Sequence, residues 1–258
     1  MRERALRFAR LLGRLEFRAL FFLLGVGAAL TAFLQIAEAV EEGETHDLDR
    51  NILLLFREPG RPDDPLGPRF VEEALRDVTA LGGFTVLTLI TVIGVIVLWF
   101  YGWKRRALVF GGAVLLAQVS ADLTKIIVGR DRPDFLSHGS FVYSHSFPSG
   151  HSTISATVFF TLAAVLASLQ RKRRAKIFIF SVAALLVFSI GLSRLYLGVH
   201  WPSDVLAGWT LGAGWALAAR LALGGLLRPA DAPPRFQRLR RVPGVGPTPT
   251  GTGTSDAA

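Results

Sequence analysis

Three short stretches of this 258-residue chain hold the side chains that could do chemistry. "KIIVGRDRP" contributes Lys125 and Arg132. "FPSGH" contributes Ser149, Gly150 and His151. "SRLYLGVHWPSD" contributes Arg194, His200 and Asp204. There is no cysteine, which removes disulfides, thiolate metal sites and a thiol nucleophile together. Three fixed cations, two imidazoles and one carboxylate suit phosphoryl transfer. Its transition state spreads negative charge over three equatorial oxygens, and catalysis is mostly positioning plus electrostatic stabilisation. Lys125, Arg132 and Arg194 supply that charge.

Each stretch has a local logic. Ser149 fits an N-cap, Gly150 lets the backbone approach a ligand, and the helix start that follows can hold a phosphate through its N–H groups and dipole. His151 then stands at the rim, placed to protonate a leaving oxygen. Pro202 suits the first turn of a helix, so Asp204 falls in that turn with His200 just before it. A carboxylate on one imidazole nitrogen fixes the tautomer and makes the other nitrogen the better nucleophile. Singly, these residues have ordinary readings: a capped helix, a helix-dipole partner at Asp204, a snorkelling anchor at Arg194. Together they do not. Few carboxylates lie beside the cations, so magnesium has little to hold it, and zinc on two histidines and an aspartate would face adjacent positive charge. No metal and no cofactor are expected.

The elements that must position these residues read as membrane helices. A net charge of +9, 51% hydrophobic residues and a mean hydropathy of +0.42 together indicate a membrane protein with basic flanks. Six segments are long and apolar enough to span: 19–39, 82–101, 107–128, 152–169, 177–197 and 205–227. The expected fold class is therefore all-α, a six-transmembrane bundle over 19–227. A basic 1–18 start precedes it, and a 228–258 tail, basic and then of low complexity, follows it. Basic clusters at the start, at Lys104 to Arg106, at "RKRRAK" and after the last span fall on one side under six alternating crossings. That side is expected to be cytoplasmic, with both termini. The acidic 41–81 loop and all three chemical stretches are expected on the opposite face, where "FVEEALRDV" reads as an amphipathic surface helix. The first span competes with a cleaved signal peptide and is read as uncleaved. Ala-, Leu-, Gly- and Arg-rich composition points to a bacterial gene, hence to the inner membrane.

On the spacing K-x6-R-P from Lys125 to Pro133, P-S-G-H from Pro148 to His151 and S-R-x5-H-x3-D from Ser193 to Asp204, the chain resembles the type 2 phosphatidic acid phosphatase superfamily, the lipid phosphate phosphatases. The resemblance implies that His200 forms a phosphohistidine, oriented by Asp204, and that His151 protonates the leaving group. It implies that Lys125, Arg132, Arg194, Ser149 and the Gly150 amide hold the phosphoryl oxygens, without a metal. Members act on phosphatidic acid, phosphatidylglycerol phosphate, isoprenoid diphosphates such as undecaprenyl diphosphate, or lipid A. Soluble halide-oxidising relatives are disfavoured by the six spans. The alternative is a lipid-phosphate binding or translocating protein of the same fold without catalysis. The expected partners are a lipid phosphate and the bilayer, with no nucleic acid; oligomeric state is not readable. Arg130 and Asp131 are second-tier candidates that pair locally or widen the positive field. Gln118 and Asp122 are expected to bond across helices toward the bundle interior. His46, His138 and His145 read as solvated loop histidines.

Overall fold

The computed structural model describes residues 2–134 and 144–224. His138, the end of the last span beyond 224 and the 228–258 tail lie outside these residues. The described chain is α1 (Arg2–Glu41), α2 (His46–Leu54), a two-stranded antiparallel hairpin β1 (Arg57–Glu58) and β2 (Arg61–Pro65), α3 (Arg69–Ala80), α4 (Phe84–Phe100), α5 (Lys104–Val128), α6 (Gly150–Leu169), α7 (Arg173–Tyr196) and α8 (Pro202–Leu223). It is a mostly helical membrane fold, with α2 and the small hairpin between α1 and α3.

Five helices are long and apolar enough to cross a membrane alone: the Ala19–Glu41 part of α1, then α5, α6, α7 and α8. The segment expected as a span over 82–101 differs. It is the 17-residue α4, which reaches spanning length only together with α3, across a bend of 40° at Leu81 to Gly83. The "FVEEALRDV" helix and the second apolar run are thus two limbs of one elbow, broken where two glycines stand in succession.

The centre of the bundle is α6, whose most apolar window is 61% buried inside the protein, against 6% to 33% for the other spans. This explains the polar start of "SFPSGHSTISA": Ser152, Thr153, Ser155 and Thr157 are buried against neighbouring helices, and the threonine hydroxyls donate to carbonyls one turn back, at 2.9 Å each. Helix α8 lies against α6 at backbone distance. A Cβ on Gly212 would stand 2.3 Å from the Thr153 carbonyl oxygen, and one on Gly208 would stand 2.8 Å from the Ser149 oxygen. Only glycine permits that approach. The start of α6 is pinned to the start of α8 by the Ser149 N–H, which donates to the Asp204 carbonyl at 3.0 Å. Two of the chemical stretches are thereby locked side by side.

Candidate active site

Four helix ends and one loop build the site. Helix α5 closes on Gly129 in the left-handed conformation, φ +60°, and turns the chain across the mouth of the bundle. Its last turn carries Lys125, whose Nζ donates to the carbonyls of His145 and Pro148 at 2.8 Å each. That ties the segment leading into α6 to the end of α5. Arg132 follows the turn. Its Nε donates to the Ser144 carbonyl at 3.0 Å and its Nη1 to the Val199 carbonyl at 2.5 Å, which leaves Nη1 3.2 Å from His200 Nε2. Arg194, near the end of α7, is only 7% exposed and donates to Thr79 Oγ1 on α3 at 2.9 Å.

His200 sits in the turn between α7 and α8, 2% exposed. Its Nδ1 faces Asp204 Oδ2 at 3.3 Å, so the tautomer with Nδ1–H leaves the Nε2 lone pair toward Arg132. Burial, then the charges of Arg194, Arg132, Lys125 and His151, holds the His200 imidazole well below its ordinary range, so it is neutral at neutral pH. Burial also lowers Arg132, with Asp204 opposing, yet a guanidinium stays charged.

Asp204 is fully buried, and both of its carboxylate oxygens accept hydrogen bonds. Oδ2 accepts from the Trp201 N–H at 2.9 Å and from Ser146 Oγ in a very short contact; Oδ1 accepts from Arg130 Nη1 at 2.8 Å. Ser146 Oγ is also 3.4 Å from His200 Nδ1.

His151, in the first turn of α6, faces elsewhere. It lines a cavity of about 420 Å³ between α4, α5 and α6, together with Lys125, Gly150, Gly82 and Ile154. A Cβ on Gly82 would stand 3.2 Å from the His151 ring and 2.4 Å from Ile190, so the elbow presses on the imidazole through bare backbone. Ser149 is buried, its hydroxyl accepting from Ser152 N at 3.5 Å and Ser152 Oγ at 3.1 Å, as an N-cap does. Among the described residues, nothing stands within 4 Å of where a Cβ on Gly150 would lie.

The three stretches thus meet at one end of the bundle, and all eight residues read from them lie there. Two readings are corrected. Arg130 does not pair with Asp131: it bridges Asp204 and Asp49, while the Asp131 carbonyl accepts from Trp201 Nε1 at 2.9 Å. Gln118 and Asp122 do not bond across helices. Gln118 Nε2 donates to Asp122 Oδ2 at 2.8 Å within α5, the one-turn spacing, and both line the cavity. His46 and His145 are exposed as expected, although Trp201 covers one face of the His46 ring at 5.5 Å. Sequence reasoning missed Asp49, Ser146 and Thr79. Ser146 stands three residues before an identified serine, a findable signal; Asp49 and Thr79 lie in loop and elbow segments that look like ordinary solvated sequence.

A family model described as the PAP2 superfamily matches residues 106–226. The chain is 35% identical over 191 residues to phosphatidylglycerophosphatase B of Bacillus subtilis, covering 70% of this chain and 85% of that protein. It is 35% identical over 157 residues to a lipid A 1-phosphatase of Rhizobium johnstonii, covering 55% of this chain and 59% of that one. The fold superposes on the crystal structure of a transmembrane PAP2-type phosphatidylglycerolphosphate phosphatase from Bacillus subtilis with a TM-score of 0.66 and 27% identity, over 76% of this chain and 94% of the other. With its helical bundle, its converging motifs and these matches, the chain belongs to the PAP2 superfamily of membrane phosphatases.

Proposed function

We propose that the protein removes phosphate from a lipid phosphomonoester or diphosphate through a phosphohistidine at His200. One observation carries this reading. The His200 imidazole is backed by Asp204 at Nδ1, and its Nε2 is turned to a guanidinium that would pair with a phosphoryl group. Nε2 attacks phosphorus, and the bond from phosphorus to the leaving oxygen breaks. His151 gives that oxygen its proton. Water then attacks phosphorus while His151 takes its proton; the N–P bond breaks, its electron pair returns to His200 Nε2, and inorganic phosphate is released. Lys125, Arg132 and Arg194, with Ser149 and the Gly150 amide, hold the phosphoryl oxygens. Their charges fill the role of a divalent ion, so turnover proceeds in chelator.

The cavity beside His151 is walled by α4, α5 and α6, and Leu87, Val92 and Leu115 are among its apolar lining residues, which suits the stem of a lipid leaving group. Phosphatidylglycerol phosphate is the first substrate to try, given the named relatives; phosphatidic acid, lipid A and undecaprenyl diphosphate complete the panel. Phosphate release from each is measured against His200→Ala. Release equal to that variant on every lipid would leave a binding protein in its place.

The site faces the extracytoplasmic side of a bacterial inner membrane, with both termini cytoplasmic. The basic clusters at Lys104 to Arg106 and Arg171 to Lys176 support this orientation. Since the chain lacks cysteine, single cysteines report directly. One at Ser140 is labelled by an impermeant maleimide in intact cells and one at Ala175 is not; the reverse pattern inverts the orientation.

A further inference from the structure

We propose that Asp49 and Arg130 are positioning residues of the catalytic centre and act on His200 through Asp204. The proposal rests on the phosphohistidine reading above. It adds to the machinery a residue from α2, well before the segment that matches the family model.

The observation is a continuous buried chain of charges. Asp49 is 2% exposed. Its Oδ2 accepts from Arg130 Nη2 at 2.7 Å and from Ser203 Oγ at 2.5 Å, and its Oδ1 from the Ser203 N–H at 2.9 Å. Thr45 Oγ1 backs the same guanidinium nitrogen at 3.3 Å. Arg130 Nη1 then reaches Ser203 Oγ at 2.7 Å and Asp204 Oδ1 at 2.8 Å, and Asp204 Oδ2 lies 3.3 Å from His200 Nδ1. The Trp201 ring covers the guanidinium at 5.2 Å. The side chain of Arg130 is 13% exposed, so water screens little of this.

Buried ion pairs are a weak way to gain stability, because desolvation offsets most of the attraction. The arrangement makes sense as charge placement. One guanidinium facing Asp204 alone would form a neutral pair and cancel much of the field that the carboxylate exerts on the imidazole. Shared between two carboxylates, Arg130 leaves one net negative charge on the Nδ1 side of His200. The cations Lys125, Arg132 and Arg194 lie among the groups bearing on the same ring. That negative charge holds the Nδ1–H and stabilises the positive charge that develops on the ring as Nε2 bonds to phosphorus. Asp49 also fixes position, since the N–H it accepts from Ser203 lies in the first turn of α8, the helix that carries Asp204.

The test is a double-mutant cycle on the purified full-length protein in detergent, with phosphate release from phosphatidic acid as the readout. Asp49→Asn keeps the shape and removes the charge. It is expected to lower kcat about tenfold, the lower end for partners that orient a ligating histidine, with KM changed less than about twofold. Asp49→Glu restores most of the loss. In an Asp204→Asn background, Asp49→Asn changes kcat by less than about twofold, because its effect travels through a carboxylate no longer there. An equal loss in both backgrounds, or native kcat in Asp49→Asn, overturns the proposal. Where Asp49→Asn is not monodisperse, Arg130→Lys is read in the same two backgrounds by the same criteria. If His200→Ala turns over normally, the phosphohistidine reading fails; if it is inactive and the cycle is additive, only this inference fails.

Discussion

The two histidines of the site live in opposite surroundings. His200 is enclosed: 2% exposed, backed by a fully buried carboxylate and faced by an arginine at 3.2 Å. His151 stands at the rim of an open cavity, and its ring has no hydrogen-bond partner among the described residues. The first environment holds one geometry, which suits the nucleophile proposed at His200; the second leaves room for leaving groups of different size, which suits the proton donor proposed at His151. On the proposed mechanism, attack on phosphorus takes place where α6 and α8 touch at their backbones, and protonation of the leaving group beside the cavity between α4, α5 and α6.

Exchanging substrates breaks this comparison most sharply. His200→Ala is expected to abolish phosphate release from every substrate. His151→Ala is expected to lose ~10²- to 10⁴-fold on an alkyl phosphate lipid and far less on p-nitrophenyl phosphate, whose leaving group scarcely needs the proton. The activated substrate should also let a phosphohistidine accumulate in His151→Ala, and peptide mapping should place it on His200. Equal losses of the two variants across both leaving groups would end the division of labour.

A smaller perturbation stays inside the enclosed region. Ser146→Ala removes the short hydrogen bond to Asp204 Oδ2 and a neighbour of His200 Nδ1. A hydrogen bond to a charged group is worth about 1.5–3 kcal/mol, so kcat should fall on the order of ten- to a hundredfold while KM holds. An unchanged kcat would mean that Asp204 is oriented by Trp201 and Arg130 alone.

The pH profile is subtler still. In the proposed mechanism the nucleophile is the neutral His200 imidazole, whose pKa is depressed by burial and by the flanking cations. A depressed value keeps it neutral as pH falls through the ordinary histidine range of about 6.5, so kcat/KM for p-nitrophenyl phosphate should show no acid limb there. An acid limb centred near 6.5 would show that His200 is less shielded than its burial implies, and loss of the Arg132 charge should move any such limb to higher pH.

Much of this was legible from residue types and spacing, for physical reasons. Capping is local chemistry, so Ser149 and Pro202 marked their helix starts directly. The convergence of Lys125, His151, Arg194 and His200 followed from topology once the helices were placed. Asp49 escaped because its partners lie 81 and 154 residues away, and an acidic loop carries no mark of which carboxylate turns inward. The elbow escaped because the charged "FVEEALRDV" and the apolar run after Gly83 differ so sharply in polarity that they read as two separate elements, while the break between them is made at Gly82 and Gly83. Gln118 and Asp122 had the spacing of a same-helix pair, but their polarity drew the reading toward the interior.

The elbow also bears on the solvent the protein lives in. At about 1.5 Å per residue, the 17 residues of α4 cover roughly 25 Å, short of a typical hydrocarbon thickness of about 30 Å. Where α4 alone meets the hydrocarbon, beyond the elbow, lipids beside it would have to compress, and α4 forms one wall of the cavity at His151. On the proposed mechanism, that compression would bring the headgroup layer toward the cavity at which a phosphate has to arrive. Bilayer thickness becomes a kinetic variable: turnover in vesicles should decline by a modest factor as host acyl chains lengthen, with rates in detergent as the fixed reference.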